Sequence, residues 1–407
     1  MLDWLVIGGG PHGVHVAARL IDEANVPREK IRILDNEAML LDRWKRCTHN
    51  TGMQFLRSPS VHHIDLSSSS LRRFAKKRPA RKIEKPFTRP YDRPALDLFN
   101  LHADEMIKRS RLQELHIQGY ANSLEVFDEG LRIGVSDAND SEKNSTIEAR
   151  RVVLSLGAPR DPEWPEWAKG IAESSAEQGR MNAIEHIFAP GFELNDTPAP
   201  ESVAVVGGGI SGAQVALRLA KAGSQVVLFS RHPLQIHQFD SEPGWQGPKF
   251  MAGFSRIQQP SERRLRIQDA RHRGSIPPDT HAALRREIAD GRIEVLEKVE
   301  IDSAQFAQGQ IHLKAGESWR AFDRTVLATG FTGRPPGEEW LKEAIETYEL
   351  PCAECGYPIV DRSLRWHPRI FVTGPLAELE IGPVSRNLSG AMRAGERIAA
   401  VAQTNSH

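Results

Sequence analysis

Three cysteines in 407 residues are too few for a disulfide framework. No apolar run approaches the ~18 residues that a membrane-crossing helix needs. Neither sign of charge is in excess: 53 Lys+Arg stand against 53 Asp+Glu, so a chain-wide nucleic-acid footprint is missing. A secretory leader is not expected, because Trp4-Leu5-Val6-Ile7 is only a short strand with glycines directly after it. The expected setting is a reducing cytoplasm, and the expected partner is a small molecule rather than nucleic acid, with no transmembrane segment. The composition, 40% hydrophobic and 26% charged, is that of ordinary globular domains, and the length predicts two or three of them.

What is present is an internal repeat. Val6 to Leu20 reads VIGGGPHGVHVAARL and Val205 to Leu219 reads VVGGGISGAQVALRL, with nine of fifteen positions identical at an offset of 199. That offset is too long for a solenoid and indicates one supersecondary unit used twice. In each copy a short apolar strand runs into Gly-x-Gly-x-x-Gly and then into a helical pattern. The first copy has Gly8, Gly10 and Gly13, followed by Val14, Ala17, Ala18 and Ile21 on one helical face. The second has Gly207, Gly209, Ser211 and Gly212, followed by Ala213, Leu217 and Ala220. The first glycine permits a tight turn, the second a close approach to a pyrophosphate, and the third close packing of helix on strand. Pro11 and His12 fall inside the first loop, beside the expected pyrophosphate. One such loop is weak support for dinucleotide binding; two, each between strand and helix, are strong.

The end of the next strand separates the sites. Asp35 closes Ile31-Arg32-Ile33-Leu34-Asp35, 22 residues past Gly13, where a carboxylate accepts both ribose hydroxyls of an adenosine. The second copy has no acid there; Val226 to Phe229 leads to Ser230 and Arg231, which could bind a 2′-phosphate, unless Arg231 is simply a solvated surface residue. The first site therefore suits FAD and the second NADPH. The predicted fold class is α/β, with two Rossmann-like dinucleotide-binding domains and the NADPH domain inserted in the FAD domain. Residues 1–160 would begin the FAD domain, 161–324 form the insert, and 325–407 complete the FAD domain. Pro159, Pro162 and Pro165 would act as a stiff hinge, and Asn195 to Ser202 as a linker. Tyr91 to Arg109 reads as a helix opened by Pro94, and Asp137 to Thr146 as a polar turn between strands.

The order of motifs resembles two-dinucleotide-domain flavoproteins, and among them the class B flavin monooxygenases, with lysine and ornithine N-hydroxylases the nearest likeness. Val326-Leu327-Ala328-Thr329-Gly330-Phe331 looks like the motif at which that family returns to its FAD domain. Trp44 to Asp65, with Met53 and Gln54 inside, is similar to the N-hydroxylase segment beneath the flavin. The tail from Phe371 through Gly374 to Gly382 and Pro383 corresponds to the stretch that closes over the flavin ring. The FxGxxxH sequence of other flavin monooxygenases is missing before the second loop, where His186-Ile187-Phe188 stands, and the tail lacks the N-hydroxylases' histidine-glycine pair. The resemblance implies an FAD-dependent, NADPH-driven oxidoreductase that uses molecular oxygen as a monooxygenase. A reductase of a disulfide, quinone or protein acceptor, and a non-catalytic redox sensor, are the alternatives. No residue is assigned a catalytic proton transfer, and no metal is expected.

Four other features stand out. A basic run, Arg72 to Lys85, reads as a solvated loop or a docking site for acidic partners or membrane headgroups. Arg263, Arg264, Arg266, Arg271 and Arg273 read as a surface loop or the lining of an NADPH channel, and Asp240, Trp245 and Lys249 as the roof of a substrate cavity. Cys352 and Cys355 form a CxxC that is either structural or a redox dithiol; no second CxxC or HxxxH stands nearby to complete a zinc set. His62-His63 are ordinary polar residues or lie at the flavin edge.

Overall fold

The computed structural model describes residues 1–138, 143–158, 161–194 and 201–404. Pro159, the linker positions 195–200 and the tip of the 137–146 turn lie outside the described residues.

Two parallel sheets organise the chain. In the first, Arg365–His367, Ile370–Val372, Asn144–Leu154, Leu2–Ile7, Ile31–Asp35 and His116–Gln118 lie in that order. Leu2–Ile7 pairs in parallel with Ile31–Asp35 on one side and Asn144–Leu154 on the other. Its residues Trp4 to Ile7 are all buried, as a strand covered on both faces must be. Tyr120–Phe127 and Gly130–Ser136 extend this sheet as an antiparallel meander. Ile370–Val372, from the end of the chain, adds in parallel beside Asn144–Leu154.

The second sheet runs Ile293–Glu297, Gln225–Ser230, Ser202–Val206, Arg324–Leu327, Ile184–His186, all in parallel. A three-stranded antiparallel sheet, Ser303–Ala307, Gln310–Ala315 and Ser318–Phe322, packs beside it. Arg324–Leu327 belongs to the second sheet, so the chain crosses back to the first only after Leu327.

The last helix, Leu388–Thr404, lies on the helix of the first loop, Pro11–Asp22, so closely that a Cβ at Gly395 would come within 2.7 Å of the His15 ring. The end of the chain thus seals the beginning. Among the described residues no helix is long and apolar enough to cross a membrane.

Two local readings change. The helix predicted from Tyr91 begins at Leu96, because the amides of Ala95 and Leu96 are taken by Pro86 and Gln54 carbonyls, and Arg93-Pro94 pairs instead with Phe87-Thr88. The basic run is not a plain solvated loop: Ser70–Phe74 and Ala80–Lys82 are short helical turns, and Leu71, Phe74 and Ala80 anchor them against Leu98. Its charged side chains Lys76, Lys77 and Arg78 stay exposed.

Candidate dinucleotide sites and the cleft between them

Both glycine loops fold as strand, turn and helix. Gly8 and Gly207 have φ of +112° and +128°, a region that only glycine enters freely. A Cβ at Gly13 would overlap the Gly8 carbonyl oxygen, and one at Gly212 that of Gly207, so each third glycine lets its helix ride on its own loop. A Cβ at Gly10 would meet nothing within 4 Å, which leaves the room a pyrophosphate needs. No side chain caps Pro11–Asp22 or Ile210–Lys221, and neither first turn carries an acid, so the amides and the positive dipole end serve an anion. Gly209 lies 3.4 Å, at its would-be Cβ, from Gly274, which flanks the second loop. These loops fit dinucleotides by shape.

Asp35 and Ser230 occupy equivalent places under the two loops. Asp35 accepts hydrogen bonds from the amides of Gly9 at 2.5 Å and Glu37 at 2.9 Å, and burial raises its pKa. Its other lone pairs are available to ribose hydroxyls. Ser230 is buried and its hydroxyl donates to the His232 carbonyl at 2.5 Å. Its Oγ lies so close beneath the loop that a Cβ on Gly208 would overlap it, and exposed Arg231 follows it in the chain.

The tail meets the first loop through His12, whose Nδ1 lies 3.2 Å from Thr373 Oγ1 and 3.7 Å from the position of a Cβ on Gly374. Desolvation lowers the His12 pKa to about 4, so the ring is neutral at pH 7. Gly374 itself has φ +62°, and its carbonyl accepts from Ser385 at 2.5 Å. Gly382 and Pro383 are placed differently: Gly382 packs against Met251, Trp245 and Phe254 of the inserted segment, and Pro383 presents its carbonyl to Arg271 at 3.0 Å. Trp44 turns into the core, its ring tilted against Phe99 with centroids 5.4 Å apart, and donates its indole N–H to Asn100. Met53 packs on the same core, while Gln54 is exposed. Gly330, with φ +88°, holds the crossing between units, where its carbonyl accepts from the Glu163 amide and Phe331 stacks on Phe188.

Gln54 faces a cleft of about 750 Å³ between the two units. Gly52, Gln54 and Arg57 line one wall, and Gln214, Arg218 and Asp279 the other. Arg57 is held there by three bonds to the insert: Nε to the Gln238 carbonyl, and one terminal nitrogen to the His237 carbonyl and Ser275 hydroxyl.

The second arginine cluster divides: Arg266 and Arg273 are exposed, and the other three are drawn inward. Arg263, Arg264 and Arg266 stand on the helix Pro260–Ala270, and Arg264, Arg271 and Arg386 converge on Glu378, which is fully buried. Arg263 pairs with Glu380 at 2.8 Å. Burial beside Arg386 lowers the Arg271 pKa to about 9. Sequence reasoning missed Glu378; the signal was an acid inside the apolar run Pro375 to Pro383. Trp245 is buried against Phe250 and Phe254, so it braces the insert rather than roofing open space, and Asp240 accepts a bond from Asn387. His63 lies in the first unit, edge-on to His102, where Asp65 also binds Arg109.

Paired parallel sheets, each carrying a phosphate-type glycine loop, define a two-dinucleotide α/β protein. Residues 2–244 match the family model for pyridine nucleotide-disulphide oxidoreductases, and the chain belongs to that family. Among curated proteins no match was found. Solved structures share the fold at low identity. The chain is similar to the cadaverine monooxygenase DfoA of Erwinia amylovora, determined bound to FAD, with 16% identity, a TM-score of 0.76, and coverage of 99% of this chain and 95% of that one. It is similar to the ornithine hydroxylase PvdA of Pseudomonas aeruginosa at 18% identity and TM-score 0.75, both chains fully covered. The bacillithiol disulfide reductase of Bacillus cereus superposes less well, with 14% identity and TM-score 0.64 over 99% of each chain.

Proposed function

We propose that this chain is an FAD-dependent, NADPH-driven monooxygenase of the N-hydroxylase type, acting on a small nucleophilic substrate such as an amine. In this reading residues 1–160 and the tail hold FAD, and the insert holds NADPH. Gly8, Gly10 and Gly13 receive the FAD pyrophosphate and Asp35 the adenosine ribose. Gly207, Gly209, Ser211 and Gly212 receive the NADPH pyrophosphate, and Arg231 its 2′-phosphate. Redox chemistry would be supplied by FAD, reduced by NADPH and reoxidised by O₂. The chain's own work is positioning. Arg57 ties the Gln54 segment to the insert, and the Glu378 cluster ties the tail to the helix Pro260–Ala270.

The observation that carries an oxygenase over a disulfide reductase is the state of the thiols. Cys352 is half-buried against the apolar core, and burial raises its pKa, with Cys355 beside it adding to the shift. Cys47 is raised by burial too. A protonated, packed thiol is a poor redox nucleophile. The test supplies NADPH and O₂ with cadaverine, ornithine and lysine, and reads products by mass. A hydroxylated amine, formed in step with NADPH oxidation, is expected. Oxidation that yields only hydrogen peroxide with every amine, and that accelerates with a disulfide or quinone, would replace this reading with a reductase.

A further inference from the structure

We infer that His237, Glu242 and His272, all on the inserted segment, form a binding site for a divalent transition-metal ion of the zinc class. One ligand atom from each of the three lies within 4.8 Å of the others. Two imidazoles and a carboxylate are a donor set that zinc accepts readily, with water completing the sphere.

The backbone beneath these residues is pinned. His237 follows the short strand Gln235–Ile236, which pairs in parallel with Ser275–Ile276, and its amide donates to the Ile276 carbonyl. Ser241 bridges to Arg271, which sets Glu242 beside His272, and the His272 amide donates to the Asp240 carbonyl at 2.8 Å. The two rings stack with centroids 3.7 Å apart. His272 Nδ1 lies 3.2 Å from the Phe239 carbonyl oxygen. Donation of its proton there leaves the Nε2 lone pair for a ligand, the tautomer that outer hydrogen bonds impose on metal-binding histidines. That Nε2 is 3.8 Å from a Glu242 oxygen. Metal–donor bonds of about 2.0–2.1 Å put donors roughly 3.4 Å apart in a tetrahedron. An imidazole lone pair lies in its ring plane, so the two stacked rings must turn to face one ion, and Glu242, whose side chain is 61% exposed, can turn with them. Arg57 opposes a cation there, and Asp240 offsets Arg57. Because Arg57 binds the His237 carbonyl, occupancy would stiffen one wall of the cleft. The inference stands independently of the reaction proposed above.

The test is calorimetric titration of zinc chloride into the full-length, FAD-loaded chain without a polyhistidine tag, with a thermal melt of the same samples. One saturable zinc per chain and a raised Tm are expected. His237→Ala and His272→Ala should each weaken zinc by more than about tenfold, the lower end of what loss of a ligand's outer partner costs. Glu242→Gln should also weaken it, and this exposed position keeps the fold should a histidine variant lose it. No saturable one-to-one event in the wild type, or an event unchanged in Glu242→Gln and in any histidine variant that folds, would overturn the site.

Discussion

The two glycine loops were built to one plan and finished differently. In both, the first glycine takes a positive φ and the third accommodates its own loop carbonyl. Beneath the first loop stands a carboxylate that accepts two backbone amides; beneath the second stands a buried serine whose hydroxyl donates to the His232 carbonyl. The first loop is closed by the tail through His12 and Thr373, whereas the glycines of the second are bordered by Ala328, Ser230, Leu234 and Gly274. Backbone geometry therefore sets where a pyrophosphate sits, and the residue below the loop sets which nucleotide is accepted.

The largest effects should come from the glycines that define the shared plan. Gly13→Ala and Gly212→Ala each drive a Cβ into a backbone oxygen, at a cost on the order of 4 kcal/mol or more. Gly13→Ala should yield colourless, poorly folded protein. Gly212→Ala should keep the flavin and lose NADPH binding. Gly10→Val separates fold from ligand: its side chain meets open space, so circular dichroism should stay native while flavin is lost. Gly10→Val that retains FAD would show that the pyrophosphate lies elsewhere.

Acid should distinguish the two units next. His12, His63 and His186 are held near pKa 4 and His15 near 3, all chiefly by desolvation, against about 6.5 in the unfolded chain. The unfolded state then binds more protons below pH 6.5, so stability falls with pH from about 6.5 to 4, by up to about 1.4 kcal/mol per unit for each group. Three of the four lie in the first unit, where His15 bonds Ile64 and Arg19. Urea midpoints followed by flavin release should therefore fall faster with acid than those followed by a probe in the insert. Coincident curves would mean that the two units unfold as one.

How much of this was legible depended on whether a cause is local. The glycine loops were, because the need for glycine at Gly8 and Gly13 arises within one strand, turn and helix. The parallel sheets followed from apolar strands such as Trp4 to Ile7. The start of the helix at Leu96 was hidden, since it is set by carbonyls of Pro86 and Gln54. The convergence of Arg264 and Arg271 on Glu378 was hidden as well, because more than a hundred residues separate the charges.

Arg231→Ala tests the half of the comparison that remains. A charge-assisted bond to a 2′-phosphate contributes roughly 1.5–3 kcal/mol, about 10- to 150-fold in affinity. NADPH should weaken by that factor and NADH hardly at all, as read from KM for each. Equal losses would show that the phosphate is read elsewhere.

The smallest effect is expected where a disulfide reductase would show its largest. Cys352 bridges by backbone to Pro358, and the turn between them is closed by Ala353, Gly356 and Tyr357 through main-chain bonds that need no sulfur. The raised pKa of Cys352 leaves little thiolate at neutral pH, and both sulfurs pack on the core of the first unit rather than at either glycine loop. Replacing both cysteines by serine removes any dithiol while keeping side-chain size. Steady-state NADPH oxidation and flavin content should change by less than about twofold, and Tm by a few degrees, the scale of about 1 kcal/mol in a protein this large. If flavin content holds while turnover collapses, electrons pass through the thiols. The two loops would then serve a dithiol relay, and the monooxygenase reading would fall with it.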